Sequence, residues 1–303
     1  MPHAPTSVTT PATTHIAANP LWRDLAALVK LRLSTIVVFS AAIGYLAGAG
    51  SAFAWDSLVW LLVGGLAVTA AANAINEIIE RDTDALMDRT ANRPLPTGRM
   101  SVGVASLIAG SLGVGGVALL WWAFNPTAAL LGALSLLSYA FIYTPMKRMS
   151  SFAVFVGAIP GAIPPAIGWA AATGSLGAGA LALFTIQFFW QFPHFWAIAW
   201  MAKEDYAKAG FDLLPDPSGR SRKSAMHVVI YTALLIPLGM LPFWLGVVGF
   251  WGCLVAVMAG VLFTYQAIQL FRTCDVKEAR ALLFGSFAYL PVVLVALVLD
   301  RIG

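Results

Sequence analysis

The stretch "SLVWLLVGGLAVTAAANAINEIIERDTDALMDRT", residues 57–90, changes character midway. Residues 57–76 form an apolar run long enough to cross a bilayer core as a helix. The chain then turns sharply polar: residues 76–96 hold five carboxylates and three arginines. The rest of the sequence repeats the first half of this pattern. Of its 303 residues, 59% are hydrophobic and only 11% are charged, against roughly a quarter charged in ordinary soluble domains. Apolar runs recur near 33–50, 57–76, 103–123, 127–144, 152–171, 178–200, 226–245, 249–271 and 281–299. Transmembrane strands are shorter and alternate in polarity, so they do not fit these runs. The sequence therefore predicts an all-α, polytopic membrane protein with about nine spanning helices.

Charge placement orients the bundle. Seventeen of the eighteen lysines and arginines fall between spans on one face, and Arg301 alone falls on the other. By the positive-inside rule that face is cytoplasmic, with the amino terminus inside and the carboxyl terminus outside. The net charge of +4 is thus a topology signal and does not indicate a nucleic-acid surface. Residues 1–22 are polar and Pro/Thr-rich, with no lysine or arginine, and read as a disordered tail. Residues 23–303 read as one intramembrane domain. Cys253 and Cys274 lie near opposite ends of one predicted span, roughly 30 Å apart, too far for a disulfide.

The two long inner loops, near 77–102 and 201–225, hold nine of the fourteen acidic residues. Asn76, Glu80 and Asp84 are spaced i, i+4, i+8 and share one face if the helix continues through them. Three oxygen side chains at a bundle mouth suit Mg2+, which is commonly held by one or two carboxylates plus substrate phosphate and water. Arg89 and Arg93, which follow, can offer bidentate hydrogen bonds to phosphate. The second loop adds Glu204, Asp205, Asp212 and Asp216. A solvated cytoplasmic surface is the plain alternative for both loops.

Polar residues inside spans are few and therefore informative. The fourth span ends in "YAFIYTPMKR", with Tyr139 and Tyr143 on one side and Lys147 and Arg148 at its cytoplasmic end. The sixth carries Gln187, Gln191 and His194 on roughly one face among aromatic rings. The fifth, "GAIPGAIPPAIGW", predicts either a bent helix lining a cavity or close packing through small residues.

The segment "NEIIERDTDALMDRTANRPLPTGR" resembles the first acidic motif of the UbiA-type intramembrane prenyltransferases. The match lies at Asn76, Glu80, Asp84, Arg89, Thr90, Arg93, Pro94 and Leu95, and "YTPMKR" resembles the end of that family's fourth helix. Within the superfamily, "ERDTDALMDRT", "WQFPHFW" and "KEDYAKAG" are similar to the heme O synthase branch. The resemblance runs from about Leu25 to the last helix. It implies nine helices around a central cavity capped by two acidic motifs that bind Mg2+–diphosphate. It also implies farnesyl transfer from farnesyl diphosphate to a vinyl group of heme b.

On that resemblance Asn76, Glu80, Asp84, Glu204 and Asp205 face metal or metal-bound water. Arg89, Arg93, Lys147 and Arg148 face diphosphate, with Lys30 or Arg32 as helpers, and His194, Gln191 and Tyr143 are candidate heme contacts. Heme A synthase or oxidase-assembly proteins are the implied partners. The chain departs from the family pattern in two places. "KLR" at 30–32 lacks the usual intervening proline, and "DLLPD" brings in Asp212 and Asp216 as competing acids. A quinone-precursor prenyltransferase is the nearest alternative. A secondary transporter is the alternative from another class, but the sequence shows no internal repeat and its charges cluster at one face. Reporter fusions test the orientation. Fusions within 77–102 and 201–225 should report cytoplasm and a fusion at the carboxyl terminus the outside; the reverse pattern would overturn it.

Overall fold

The computed structural model describes residues 21–302, so the tail expected over 1–20 lies outside the described residues. Leu21 and Trp22, counted with that tail above, open helix α1 (Leu21–Leu28). The following helices are α2 (Leu31–Ala49), α3 (Trp55–Asp84), α4 (Val102–Ala123) and α5 (Pro126–Leu137). A π-helical segment (Ser138–Tyr143) carries α5 into the short α6 (Thr144–Met146). Then come α7 (Ala153–Thr173), α8 (Ala178–Met201), α9 (Lys203–Lys208), α10 (Arg222–Trp244), α11 (Phe250–Thr273) and α12 (Val276–Leu299).

Eight of these segments are long and apolar enough to cross a membrane. Helix α8 has comparable length, 24 residues, but Gln187, Gln191 and His194 dilute its hydropathy. With it nine helices among the described residues form a circuit: α2, α3, α4, α5, α7, α8, α10, α11 and α12 each touch the next. Contacts between α12 and α2 close it. Large apolar side chains such as Val114, Trp122, Leu262 and Leu299 are exposed on the outside, as lipid-facing positions should be.

Helix boundaries follow local chemistry. Asn125 caps α5 by accepting from the Ala128 amide, with Pro126 pre-set at the first helical position. Ser101 and Ser221 cap α4 and α10 in the same way. The proline-rich α7 stays helical from Ala153 to Thr173 and is largely buried in close packing. Prolines 164 and 165 lack the N–H groups that would have bonded the carbonyls of Pro160 and Gly161. Neighbouring helices fill both gaps: Ser135 of α5 donates to the Pro160 carbonyl at 3.0 Å, and Gln187 of α8 to the Gly161 carbonyl at 2.7 Å. Gln191 donates to the Ala158 carbonyl at 2.9 Å. Helix α7 is thus helical because its neighbours supply the donors that its prolines removed.

On its other side α7 meets α2 with backbones nearly touching. A Cβ on Gly168 would collide with the Ala41 carbonyl oxygen, and one on Gly44 with the Pro165 carbonyl oxygen. At the carboxyl terminus Arg301 donates to the Leu46 and Gly50 carbonyls, capping α2, while Asp300 accepts from the Gly252 amide at the start of α11. These contacts fix α2, and with it Lys30, relative to the rest of the circuit. Gly168→Leu should therefore destabilise the bundle by about 3 kcal/mol or more, the upper end of overpacking costs. The check is apparent Tm and monodisperse yield in detergent. A wild-type Tm would show that the α2–α7 contact is not close-packed.

Candidate active site at one mouth of the bundle

Helix α3 does continue through the first motif and ends at Asp84, so Asn76, Glu80 and Asp84 share one face. All three are buried, at 1%, 4% and 1% exposure. Each meets a different basic residue. The Lys30 ammonium donates to Asn76 Oδ1 at 2.6 Å. The Lys147 ammonium stands 2.5 Å from Glu80 Oε1. Arg93 Nη1 donates to Asp84 Oδ2 at 2.5 Å. The three expected metal-facing residues are thus paired, one to one, with three expected diphosphate-facing residues.

Four elements supply these groups. Lys30 reaches Asn76 because it sits in a left-handed turn, φ 46° and ψ 53°, between α1 and α2. Burial pulls its ammonium down to about 7, with Arg93 and Lys147 adding repulsion. Arg32, the other expected helper, is exposed on α2. Arg93 stands on a loop that folds back against the bundle: Leu95 and Met100 pack with Leu28, Ala74, Ala105 and Ala109. Arg99 pins this loop to α1 through a two-nitrogen contact with Asp24. Lys147 follows the π-helical segment, whose wider turn is a common device at functional sites. Thr144 Oγ1 there donates to the Tyr139 carbonyl and accepts from Asn76 Nδ2 at 3.0 Å, fixing both Asn76 contacts. The exposed Arg148 reaches Thr83 at 3.4 Å.

The second loop covers the first. Asp205 accepts from the Asp88 and Arg89 amides at 2.8 and 3.4 Å, and Lys208 bonds Asp88 at 2.6 Å. Desolvation works against the Asp205 carboxylate, but those amides and Lys208 outweigh it and hold its pKa low. The Arg89 guanidinium lies 5.7 Å from the Tyr206 ring, and the Lys147 ammonium 5.1 Å from Tyr143 and 5.7 Å from Phe211. Glu204 is instead held by Arg220, at 2.6 and 2.8 Å, which keeps its carboxyl below the usual range. Asp216 accepts from Ser218 and Ser221 at the start of α10, and Asp212 is exposed. Sequence reasoning missed Tyr206, Phe211 and Thr144. Their signal was adjacency, since Tyr206 follows Asp205 and Thr144 lies three residues before Lys147.

The five residues expected to face metal do not converge. Among the described residues no three His, Cys, Asp or Glu side chains form a metal-sized group. The acids of α3 nevertheless fit a cation that is completed by substrate oxygens. They are hard oxygen donors, and Glu80 Oε1 is buried without a hydrogen bond among the described residues, because Lys147 meets it at ion-pair distance but outside hydrogen-bond geometry.

The expected heme contacts separate. Gln191 turns to α7, while His194 Nδ1 pairs with Ser286 Oγ of α12 at 2.8 Å and stacks on Trp190. Tyr143 packs on Gly157 of α7.

The Asp205 contact generates a direct test. A hydrogen bond to a charged acceptor contributes about 1.5–3 kcal/mol, so Asp205→Ala should speed hydrogen exchange at the Asp88 and Arg89 amides about 10- to 100-fold. Unchanged exchange there would show that the second loop does not hold the first.

Comparison with known proteins agrees with this architecture. The model of the UbiA prenyltransferase family matches residues 37–290. A protoheme IX farnesyltransferase from Cytophaga hutchinsonii is 47% identical over 275 residues, covering 91% of this chain and 96% of the relative. One from Flavobacterium johnsoniae is 41% identical, covering 94% and 97%. Among solved structures, one of digeranylgeranylglyceryl phosphate synthase aligns at TM-score 0.77 and 19% identity, over 92% of this chain and 98% of its own. A UbiA homologue from Archaeoglobus fulgidus, bound to GPP and Mg2+, aligns at 0.67 and 17%, over 90% and 99%. At such identities the structures speak for the fold, and the family model and the relatives speak for membership: the chain belongs to the UbiA prenyltransferase family.

Proposed function

We propose that this protein transfers a farnesyl group from farnesyl diphosphate to a vinyl group of heme b, giving heme O. The reaction takes place at the inner mouth of the helix circuit, on the cytoplasmic side of the cell membrane. The single observation that carries the reading is the one-to-one pairing of α3 oxygens with Lys30, Lys147 and Arg93. That pairing sets three cations against two carboxylates and one amide, a net positive charge that favours an anionic diphosphate, and a cation–diphosphate pair can enter it by exchange of partners. The choice of acceptor is supported by the protoheme IX farnesyltransferases that cover nearly the whole chain.

In the reaction the allylic C–O bond of farnesyl diphosphate breaks and the leaving group takes the electron pair. The farnesyl C1 bonds to the terminal vinyl carbon. Water adds its oxygen to the neighbouring carbon and releases a proton. Lys30, Lys147 and Arg93 are placed to bind the diphosphate and to stabilise charge as it builds on the leaving oxygen. Asn76, Glu80 and Asp84 would hold Mg2+, which when bound supplies Lewis-acid stabilisation of the same charge. Tyr143 and Phe211, whose rings flank the Lys147 ammonium, orient it and exclude water around it. His194, held by Ser286, remains the proposed heme-facing polar group, whereas Gln191 donates to the Ala158 carbonyl of α7.

The experiment is a reconstitution. Purified protein given heme b, farnesyl diphosphate and Mg2+ should yield a heme heavier by one hydroxyfarnesyl group, by mass spectrometry. Prenylation of an aromatic quinone precursor instead would overturn the acceptor and keep the diphosphate half. As an arm of the same assay, Asp84→Ala should fold and lower turnover by at least about 10²-fold, the scale of losing one transition-state contact. Wild-type turnover in that variant would remove Asp84 from the site.

A further inference from the structure

Trp190 and His194 stand one turn apart on α8, and both are tied to a single residue of α12. The Trp190 indole Nε1 donates to the Ser286 carbonyl at 2.9 Å, and His194 Nδ1 lies 2.8 Å from Ser286 Oγ. The two rings stack, with centroids 4.7 Å apart and planes 19° from parallel. Phe287 closes on the imidazole edge-on at 5.2 Å. These partners set one orientation for the His194 ring.

The same contacts decide which ring nitrogen carries the proton. A serine hydroxyl has one hydrogen to donate. Ser286 gives it to the Leu283 carbonyl one turn back, at 2.5 Å, a back-bond that helical serines commonly make. Toward His194 the Ser286 oxygen can therefore only accept, so Nδ1 bears the hydrogen. In a neutral imidazole Nε2 is then a bare lone pair. No group among the described residues hydrogen-bonds Nε2, yet Nε2 is not one of the sealed unpartnered atoms of the bundle, and His194 is only half-buried. Nε2 thus opens on space that a ligand can reach.

We propose that Ser286 is the positioning residue for His194: it holds the proton on Nδ1, so that Nε2 meets the heme b acceptor as a ligand to the iron and not as a donor to a propionate. The proposal rests on the heme reading above. A propionate oxygen needs an N–H, and the one N–H of this imidazole is taken by Ser286. A bare ring nitrogen is a metal ligand, and iron is the metal that heme b carries. An Nδ1–H bonded to a fixed oxygen is the arrangement that orients a metal-bound imidazole and raises its basicity. His194 lies seven residues before the end of α8 at Met201, about 10 Å along the axis from where α9 begins.

The test uses the full chain in lipid nanodiscs and compares two probes: heme b, and metal-free protoporphyrin IX, which carries the same propionates. Affinity is read by absorbance titration, and the ferrous heme complex by its iron–histidine stretch in resonance Raman spectra. Wild-type protein should show that stretch. His194→Ala should lose it and bind heme b at least about tenfold more weakly, while protoporphyrin affinity stays as in wild type. Ser286→Ala should shift the stretch and weaken heme b about tenfold, the lower end for losing the partner of a metal-bound histidine, again sparing protoporphyrin. Ser286→Thr keeps the hydroxyl and should restore both readouts. Wild-type heme affinity with an unmoved stretch in Ser286→Ala would overturn the proposal. Equal losses for heme b and protoporphyrin would overturn it too, since a propionate contact gives that result.

A purely structural role for Ser286 would lower the ligand-free Tm and leave the stretch unmoved in the folded fraction, which also counts against the proposal. Should Ser286→Ala fail to fold, Ser286→Cys serves as the second variant. Its sulfur is a weak acceptor, so the stretch should shift in the same direction; an unmoved stretch there would overturn the proposal. If wild-type protein bound heme b without an iron–histidine stretch, the proposal would fall and the acceptor reading would stand. If it neither bound heme b nor prenylated it in the reconstitution, the acceptor reading itself would fall, and that outcome is distinct from the others.

Discussion

A buried charge must be compensated, and in this protein that requirement organises the charged end of the bundle. Three oxygen-bearing residues of α3 and three basic residues from other segments are gathered out of water. Each is placed against an opposite or complementary group: Lys30 with Asn76, Lys147 with Glu80, Arg93 with Asp84. Alone, any one of the five charged groups would carry a desolvation penalty of several kcal/mol. Together three cations, two carboxylates and one amide leave a net charge of only +1, which a membrane bundle can tolerate at its mouth. On the function proposed above, a divalent cation bound to diphosphate brings charges of both signs and can exchange with the internal partners.

The remainder of the architecture serves to bring those six groups to one place. Lys30 arrives on a left-handed turn ahead of α2, and α2 is set by glycine-mediated contact with α7 and by Arg301 at its far end. Lys147 arrives after a π-helical segment locked by Thr144. Arg93 arrives on a loop that packs inward and is tied to α1 by Arg99. Helix α7, at the centre of the packing, tolerates its prolines because Ser135 and Gln187 donate to the carbonyls those prolines leave free. The second loop completes the mouth through backbone capture by Asp205 and through rings placed over Arg89 and Lys147.

Much of this was legible from residue order. Apolar runs of spanning length exposed the helices, because a backbone in hydrocarbon must satisfy its own hydrogen bonds. The i, i+4, i+8 spacing exposed the shared face of Asn76, Glu80 and Asp84, because it is a property of one helix. Short-range periodicity also placed Tyr139 beside Tyr143, whose rings lie 5.3 Å apart. The α1 helix escaped notice because eight residues are too few for a clear period. Its Asp24 earns its place only through a partner 75 residues away.

What the sequence by itself determined, then, is the fold class, the family, and the shared helix face of Asn76, Glu80 and Asp84. All of these depend on local period or on wording within one segment. Only the tertiary structure decided who meets whom. It chose Lys30 over Arg32, gave Glu204 to Arg220, set Asp205 on the amides of the first loop, and turned Gln191 and His194 toward different helices. It also left Glu77 buried without a hydrogen-bond partner among the described residues. Pairing across long sequence separations depends on how separate helices pack and turn, and no pattern within a single segment encodes the distance between two of them.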